Sequence, residues 1–124
     1  MNDDITLINE ALKAQKNAIC PYSNYPVGAA LLTSNNKIIY GFNIESKAYP
    51  TTLCAERVAI FSALAQGYKE FSALAVITID KKTPCGSCRQ IMHEFLGNIS
   101  IIISDSEKNY YKTTTKELLP NPFD

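Results

Sequence analysis

The chain has no surplus of charge of either sign: 12 lysines and arginines face 12 aspartates and glutamates, for a formal net charge of zero. A protein that grips duplex DNA or tRNA normally shows a basic excess, because neutralised phosphates supply most of its sequence-independent affinity. Without that excess no nucleic-acid partner is expected, and the densest basic spot, Lys81-Lys82, reads as a solvated turn. No apolar run approaches the roughly 18 residues that cross a bilayer, so no membrane partner is expected either. The longest uncharged strand-like run, Phe71 to Ile79, has the length of a buried strand. The start, Met1-Asn2-Asp3-Asp4, lacks the basic and apolar regions of a secretory leader. That points to the cytoplasm, where four cysteines are better read as metal ligands or reactive thiols than as disulfides. Repeats, low-complexity tracts and linkers are absent too. With 124 residues and a hydrophobic fraction of 46%, the chain has the size and core of one domain, 1–124.

What is present divides by periodicity. Asn2 or Asp3 can cap a first helix on which Ile5, Ile8, Ala11 and Leu12 recur at helical spacing, ending near Asn17 ahead of Pro21. Val27 to Thr33 and Lys37 to Asn43 read as a hairpin joined by Ser34-Asn35-Asn36. A second helix is expected from Thr51 or Thr52 to Gly67, with Ala55, Val58, Ala59, Ser62 and Ala65 as a small-residue face for close packing. Ala73 to Ile79 is the next strand. Thr83 can cap a third helix, with Pro84 in its first position and Gly97 at its end. Ile99 to Ile103 and Tyr110 to Thr113 complete the strands, and Lys116 to Leu119 a last helical turn. A hairpin followed by strand–helix–strand units makes a mixed α/β sheet flanked by helices. Parallel strands bring both cysteine-bearing helix starts to one end of it.

Those starts carry the chemistry. Cys54 stands in Thr52-Leu-Cys-Ala-Glu-Arg57 and Glu56 follows two residues on; Cys85 and Cys88 stand in Pro84-Cys-Gly-Ser-Cys-Arg-Gln90. Zinc takes thiolates, and a helix N-terminus favours the anion. Three sulfurs leave a fourth position for water, and a nearby carboxylate that is not a ligand can move its protons. Three thiolates on a divalent ion also leave excess negative charge, which Arg57, donating to a sulfur, would offset. Two other readings stay open on these residues alone: a redox Cys-x-x-Cys pair, and a closed structural zinc module completed by Cys20.

Taken together, Cys54-Ala55-Glu56 and Pro84-Cys85-x-x-Cys88 resemble the signature of zinc-dependent base and nucleoside deaminases. Pro21-Tyr-Ser-Asn-Tyr-Pro-Val-Gly-Ala-Ala30, Gly41-Phe-Asn-Ile-Glu45, Cys85-Gly-x-Cys-Arg-Gln90 and Glu117-Leu-Leu-Pro120 with Phe123 narrow the resemblance to the small homotetrameric cytidine deaminases. It covers nearly the whole chain. It implies a three-layer α/β/α fold around a mixed five-stranded sheet, and hydrolysis of cytidine and deoxycytidine to uridine and deoxyuridine in pyrimidine salvage. Zn2+ would be held by Cys54, Cys85 and Cys88, with Glu56 as the catalytic proton shuttle. Asn43 and Glu45 would hold the ribose, and the Ala55 amide the pyrimidine carbonyl. Tyr25, where phenylalanine is common, would lie under the ring, and Phe123 would come from a neighbouring subunit. Tyr49 matches a subunit-contact position, while Ser46-Lys47 departs from the usual Asn-Ala. The nearest rival is a deaminase of a nucleoside antibiotic such as blasticidin S, a branch without the Asn-x-Glu pair of Asn43 and Glu45.

Overall fold

The computed structural model describes residues 3–123. Helix α1, Asp4–Gln15, begins where Asp3 Oδ1 accepts the Thr6 amide at 2.8 Å; Asn2, the other expected cap, lies outside the described residues. Strands β1 (Gly28–Thr33) and β2 (Ile38–Phe42) form the antiparallel hairpin, turning through Asn36 at φ 69. After a 3-10 turn at Tyr49–Thr51 come α2 (Ala55–Ala65), β3 (Phe71–Ile77), α3 (Gly86–Leu96), β4 (Ser100–Ser106), β5 (Asn109–Thr114) and the single turn α4 (Thr115–Leu118). The strands lie in the order β2-β1-β3-β4-β5, with β3 and β4 parallel and every other neighbouring pair antiparallel. Among the described residues no helix is long and apolar enough to cross a membrane.

Strand side chains alternate between two buried layers. Ala30, Ala75, Ile77 and Ile102 pack on α1 through Leu7, Ile8 and Ala11. On the other face Leu31, Leu74, Val76, Ile101 and Ile103 pack on α2 and α3 through Ala59, Ile60 and Met92. The result is the three-layer α/β/α sandwich. Glycine lets helices approach the sheet backbone at two places. A Cβ on Gly28 would stand 2.1 Å from the Ala11 carbonyl of α1, and one on Gly41 2.2 Å from the Ala55 carbonyl of α2.

Several element limits differ from the sequence expectation, each for a local reason. The second helix starts at Ala55, because Ile44 and Leu53 pair as an antiparallel bridge and hold the segment before Cys54 extended. Its buried face is Ala55, Ala59, Ile60 and Ala63, so Val58, Ser62 and Ala65 are not the packing stripe. On α1 the stripe is Leu7, Ile8, Ala11 and Ala14, while Ile5 and Leu12 sit at its exposed margin. Neither Thr83 nor Pro84 opens α3. Cys85 is the cap, its Sγ accepting the Cys88 amide at 3.5 Å, while the Thr83 hydroxyl accepts from Arg89 Nη2 at 2.8 Å. Strand β3 begins at Phe71 and ends at Ile77, and Ile79 is already exposed.

Because β2 and β3 both run antiparallel to β1, they point the same way, and the helices that follow them start at the same end of the sheet. That geometry brings the two cysteine-bearing stretches together.

Candidate metal centre and cavity

The Sγ atoms of Cys54, Cys85 and Cys88 all lie within 4.8 Å of one another, and those of Cys85 and Cys88 are 3.3 Å apart. Bonds of about 2.3 Å to a tetrahedral zinc need sulfurs roughly 3.8 Å apart, so this trio fits such an ion with small side-chain adjustments. Cys20 is not in the cluster, which removes the closed four-sulfur shell. The chemistry of the donor set agrees. Packed this closely, the thiols do not ionise independently. The hydrogen bond from Cys88 and then the Arg57 guanidinium bring Cys54 down to about 5, while Cys88, sharing its proton with that thiolate and buried, is pushed far up. A bound cation would favour all three sulfurs as anions together, releasing their protons.

Arg57 Nη2 donates to Cys54 Sγ at 3.5 Å and to the Thr52 carbonyl at 3.4 Å. Arg89 points elsewhere. It ties the α3 start to the chain end through the carbonyls of Pro84 at 2.8 Å and Leu118 at 2.7 Å.

Glu56, on the first turn of α2, is only 5% exposed. Burial pushes its carboxyl up to about 7, and the neighbouring Cys54 charge adds to the rise. It lines a cavity of about 390 Å³ together with Cys54, Ala55 and Cys85. Cys54 makes no side-chain capping bond to α2, so the first-turn amides of the helix are not spent on it.

Tyr25, Asn43 and Glu45 also line this cavity. Asn43 and Glu45 lie beyond the end of β2 rather than within it. The Asn43 amide braces the neighbouring segment, its Oδ1 accepting the Val27 amide at 2.9 Å and its Nδ2 donating to the Tyr25 carbonyl at 2.8 Å. Glu45 accepts the amides of Tyr22 at 2.9 Å and Ser23 at 3.1 Å and the Ser23 hydroxyl; these bonds, the hydroxyl first, hold its carboxyl below the usual range. Phe123 does not line its own chain's cavity. Its side chain is 84% exposed, while its backbone is clasped by Gln90, with Nε2 donating to the Phe123 carbonyl at 2.7 Å and Oε1 accepting its amide at 3.0 Å. Tyr49, 73% exposed, stands edge-on to Tyr22.

Among the cavity residues that the sequence reading did not assign to the site are Ser23, Thr78 and Lys82. Lys82 is solvated, as expected, but lies in the irregular loop between β3 and α3, where its ammonium sits 5.7 Å from the Tyr25 ring centroid; the Tyr25 hydroxyl donates to Asp80. A tyrosine hydroxyl in a cleft calls for a partner, but spacing alone does not say which one.

Residues 1–103 match the profile of the cytidine and deoxycytidylate deaminase zinc-binding region. A cytidine deaminase of Sporosarcina psychrophila is 44% identical over 120 residues, spanning 94% of this chain and 88% of that protein. The crystal structure of cytidine deaminase from Burkholderia pseudomallei superposes with a TM-score of 0.93 at 39% identity, covering 98% of this chain and all of the other. A blasticidin-S deaminase of Bacillus cereus is 32% identical over 108 residues, covering 79% of this chain and 76% of its own.

Proposed function

Since the chain belongs to the cytidine and deoxycytidylate deaminase zinc-binding family, we propose that it hydrolyses cytidine and deoxycytidine to the uridine forms with release of ammonia, residues 1–124 acting as one catalytic domain. The observation that carries this reading is three sulfurs in one cluster, with a buried carboxylate outside that cluster, at a cavity of nucleoside size.

Cys54, Cys85 and Cys88 hold the zinc, which when bound supplies a water acidified to near neutrality. Arg57 lowers the negative charge that the three sulfurs accumulate. In the reaction a C4–O bond forms to the water oxygen and the C4–N bond to the exocyclic amine breaks. Water gives up both protons, one to N3 and one to the departing amine. Glu56 moves both. A carboxyl near 7 is poised to accept and release at neutral pH, and its burial keeps bulk water from competing for the proton. The Ala55 amide, at the helix start, holds the pyrimidine carbonyl. Tyr25 supplies the surface on which the base lies. The ribose is read by Glu45, whose position is fixed by the Tyr22 and Ser23 amides, and by Asn43, whose amide shapes the wall through Tyr25 and Val27.

The finer reading adds a homotetramer in which Phe123 completes a neighbour's site and Tyr49 lies at a subunit contact; their exposure supports both roles. A cytoplasmic place in pyrimidine salvage follows from the same reading. The Asn43-x-Glu45 pair favours cytidine over blasticidin S.

The test is absorbance loss from added cytidine, with blasticidin S in parallel, using protein of measured zinc content. Cytidine turnover that stops on chelation and returns with zinc is expected. Full-zinc protein that leaves cytidine untouched, or prefers blasticidin S, overturns the reading.

A further inference from the structure

Tyr25 is fixed at more points than a residue that only fills space requires. Its carbonyl accepts from Asn43 Nδ2 at 2.8 Å and its amide donates to Ser23 Oγ at 3.1 Å, so the backbone is held on both sides. The remaining freedom is the ring's own torsion. The Tyr25 hydroxyl donates to the Asp80 carboxylate, a bond that crosses from the loop before β1 to the turn after β3. That turn is itself built. Thr78, 5% exposed, accepts the Lys82 amide on its hydroxyl at 3.2 Å and donates to Asp80 Oδ1 at 3.4 Å. The Thr78 amide in turn bonds the Ser104 carbonyl of β4 at 3.1 Å. Lys82 Nζ, 3.7 Å from Asp80 Oδ2 and 5.7 Å from the Tyr25 ring centroid, adds a cation that favours both partners. The Tyr25 bond, and after it the Lys82 charge, hold the Asp80 carboxyl below its ordinary value.

We propose that Asp80 is a positioning residue for the deamination: by holding the Tyr25 hydroxyl it locks the ring in one orientation along the cavity wall and so sets the affinity for the pyrimidine. The physical reason is preorganisation. A ring that must be ordered when substrate arrives costs binding free energy that a ring already held does not. A bond to an ionised acceptor is among the stronger hydrogen bonds available for this purpose. Asp80 itself touches neither the base nor the metal ligands in this scheme, so its loss belongs in substrate binding rather than in the chemical step. The proposal rests on Tyr25 being the surface under the base, and the experiment separates the two.

The test is steady-state kinetics on zinc-loaded protein with cytidine. Asp80→Ala should raise KM about fivefold and leave kcat within about twofold. Tyr25→Phe, which deletes only the hydroxyl, should match it. The double variant Tyr25→Phe with Asp80→Ala should be no worse than either single change, because the two groups act through one bond. Asp80→Asn, whose amide oxygen still accepts, should bring KM back to within about twofold of the parent value. Tyr25→Phe disturbs no backbone contact and carries the test even where Asp80→Ala lowers the yield of folded protein. An unchanged KM in Tyr25→Phe, or effects that multiply in the double variant, overturns the latch. Tyr25→Ala tells the readings apart: a raised KM there with Tyr25→Phe unaffected removes the latch and keeps the platform, while an unchanged KM removes both.

Discussion

At the scale of single residues, the centre works by giving two acidic groups at the start of α2 opposite environments. Cys54 is drawn toward the thiolate by the Cys88 hydrogen bond and Arg57, while Glu56 is driven toward the neutral acid by burial. The sulfur group is thus suited to hold a cation and the carboxyl to trade protons. Glu56→Gln keeps the shape and hydrogen-bonding reach of the side chain but removes the ionisable group. It should lower kcat by about 10²–10⁴-fold, the contribution of general acid–base catalysis, while metal analysis still finds one zinc per chain. Normal turnover by a zinc-replete Glu56→Gln protein would move the proton transfer to another group. The trio of cysteines and Glu56 is legible in the sequence, because ligand spacing and a carboxylate at a helix start are properties of the chain itself. The setting of Asn43 is not. The family resemblance points to Asn43 and Glu45 as site residues, but does not reveal the use of both ends of the Asn43 amide on the backbone of Tyr25 and Val27, partners 18 and 16 residues away that no local pattern marks.

At the scale of elements, the site depends on how closely α2 sits on β2. Gly41 allows that approach, and α2 carries Glu56 on its first turn with Cys54 as its cap. A methyl group at Gly41 would meet the Ala55 carbonyl at 2.2 Å and the Ala59 amide at 2.6 Å, backbone atoms that cannot swing aside. The helix must lift, and its N-terminal residues move with it. Gly28 provides the control, because a methyl there meets the Ala11 carbonyl of α1, a helix without site residues. Both Gly41→Ala and Gly28→Ala should destabilise by about 1–3 kcal/mol or more, as overpacking does. Thermal melts and metal analysis of the folded fraction should show lost zinc only in the first. Equal zinc retention in both would mean that α2 does not set the ligand geometry. The helices and strands follow from periodicity and the first helix from its Asp3 cap, whereas the starts of α2 and α3 do not. The cap of α3 is a sulfur rather than the expected threonine, and the start of α2 is delayed by a bridge between Ile44 and Leu53. The Ile44–Leu53 bridge and a sulfur cap leave no signature in helical propensity.

At the scale of the whole molecule, the least explained group in one chain is Phe123. Gln90 grips its backbone at two points and Arg89 ties down Leu118 just before it, yet the ring faces outward, 84% exposed. A tail held this firmly around an apolar side chain left in water is well arranged for contact with another copy, and Phe123 does not line its own chain's cavity. If a neighbouring subunit receives it, a site requires Glu56 from one chain and Phe123 from another. Phe123→Ala should then raise KM for cytidine about tenfold or more, the loss of a buried aromatic contact, and Glu56→Gln should be inactive. Dissociating an equal mixture of the two variants and reassembling it should give on the order of a quarter of the sites with both native groups, since the partners combine at random. At low cytidine that mixture should turn over substrate several times faster than the two variants assayed apart and summed. A mixture no faster than that sum, in protein shown by light scattering to have reassembled, would place Phe123 outside the neighbour's site.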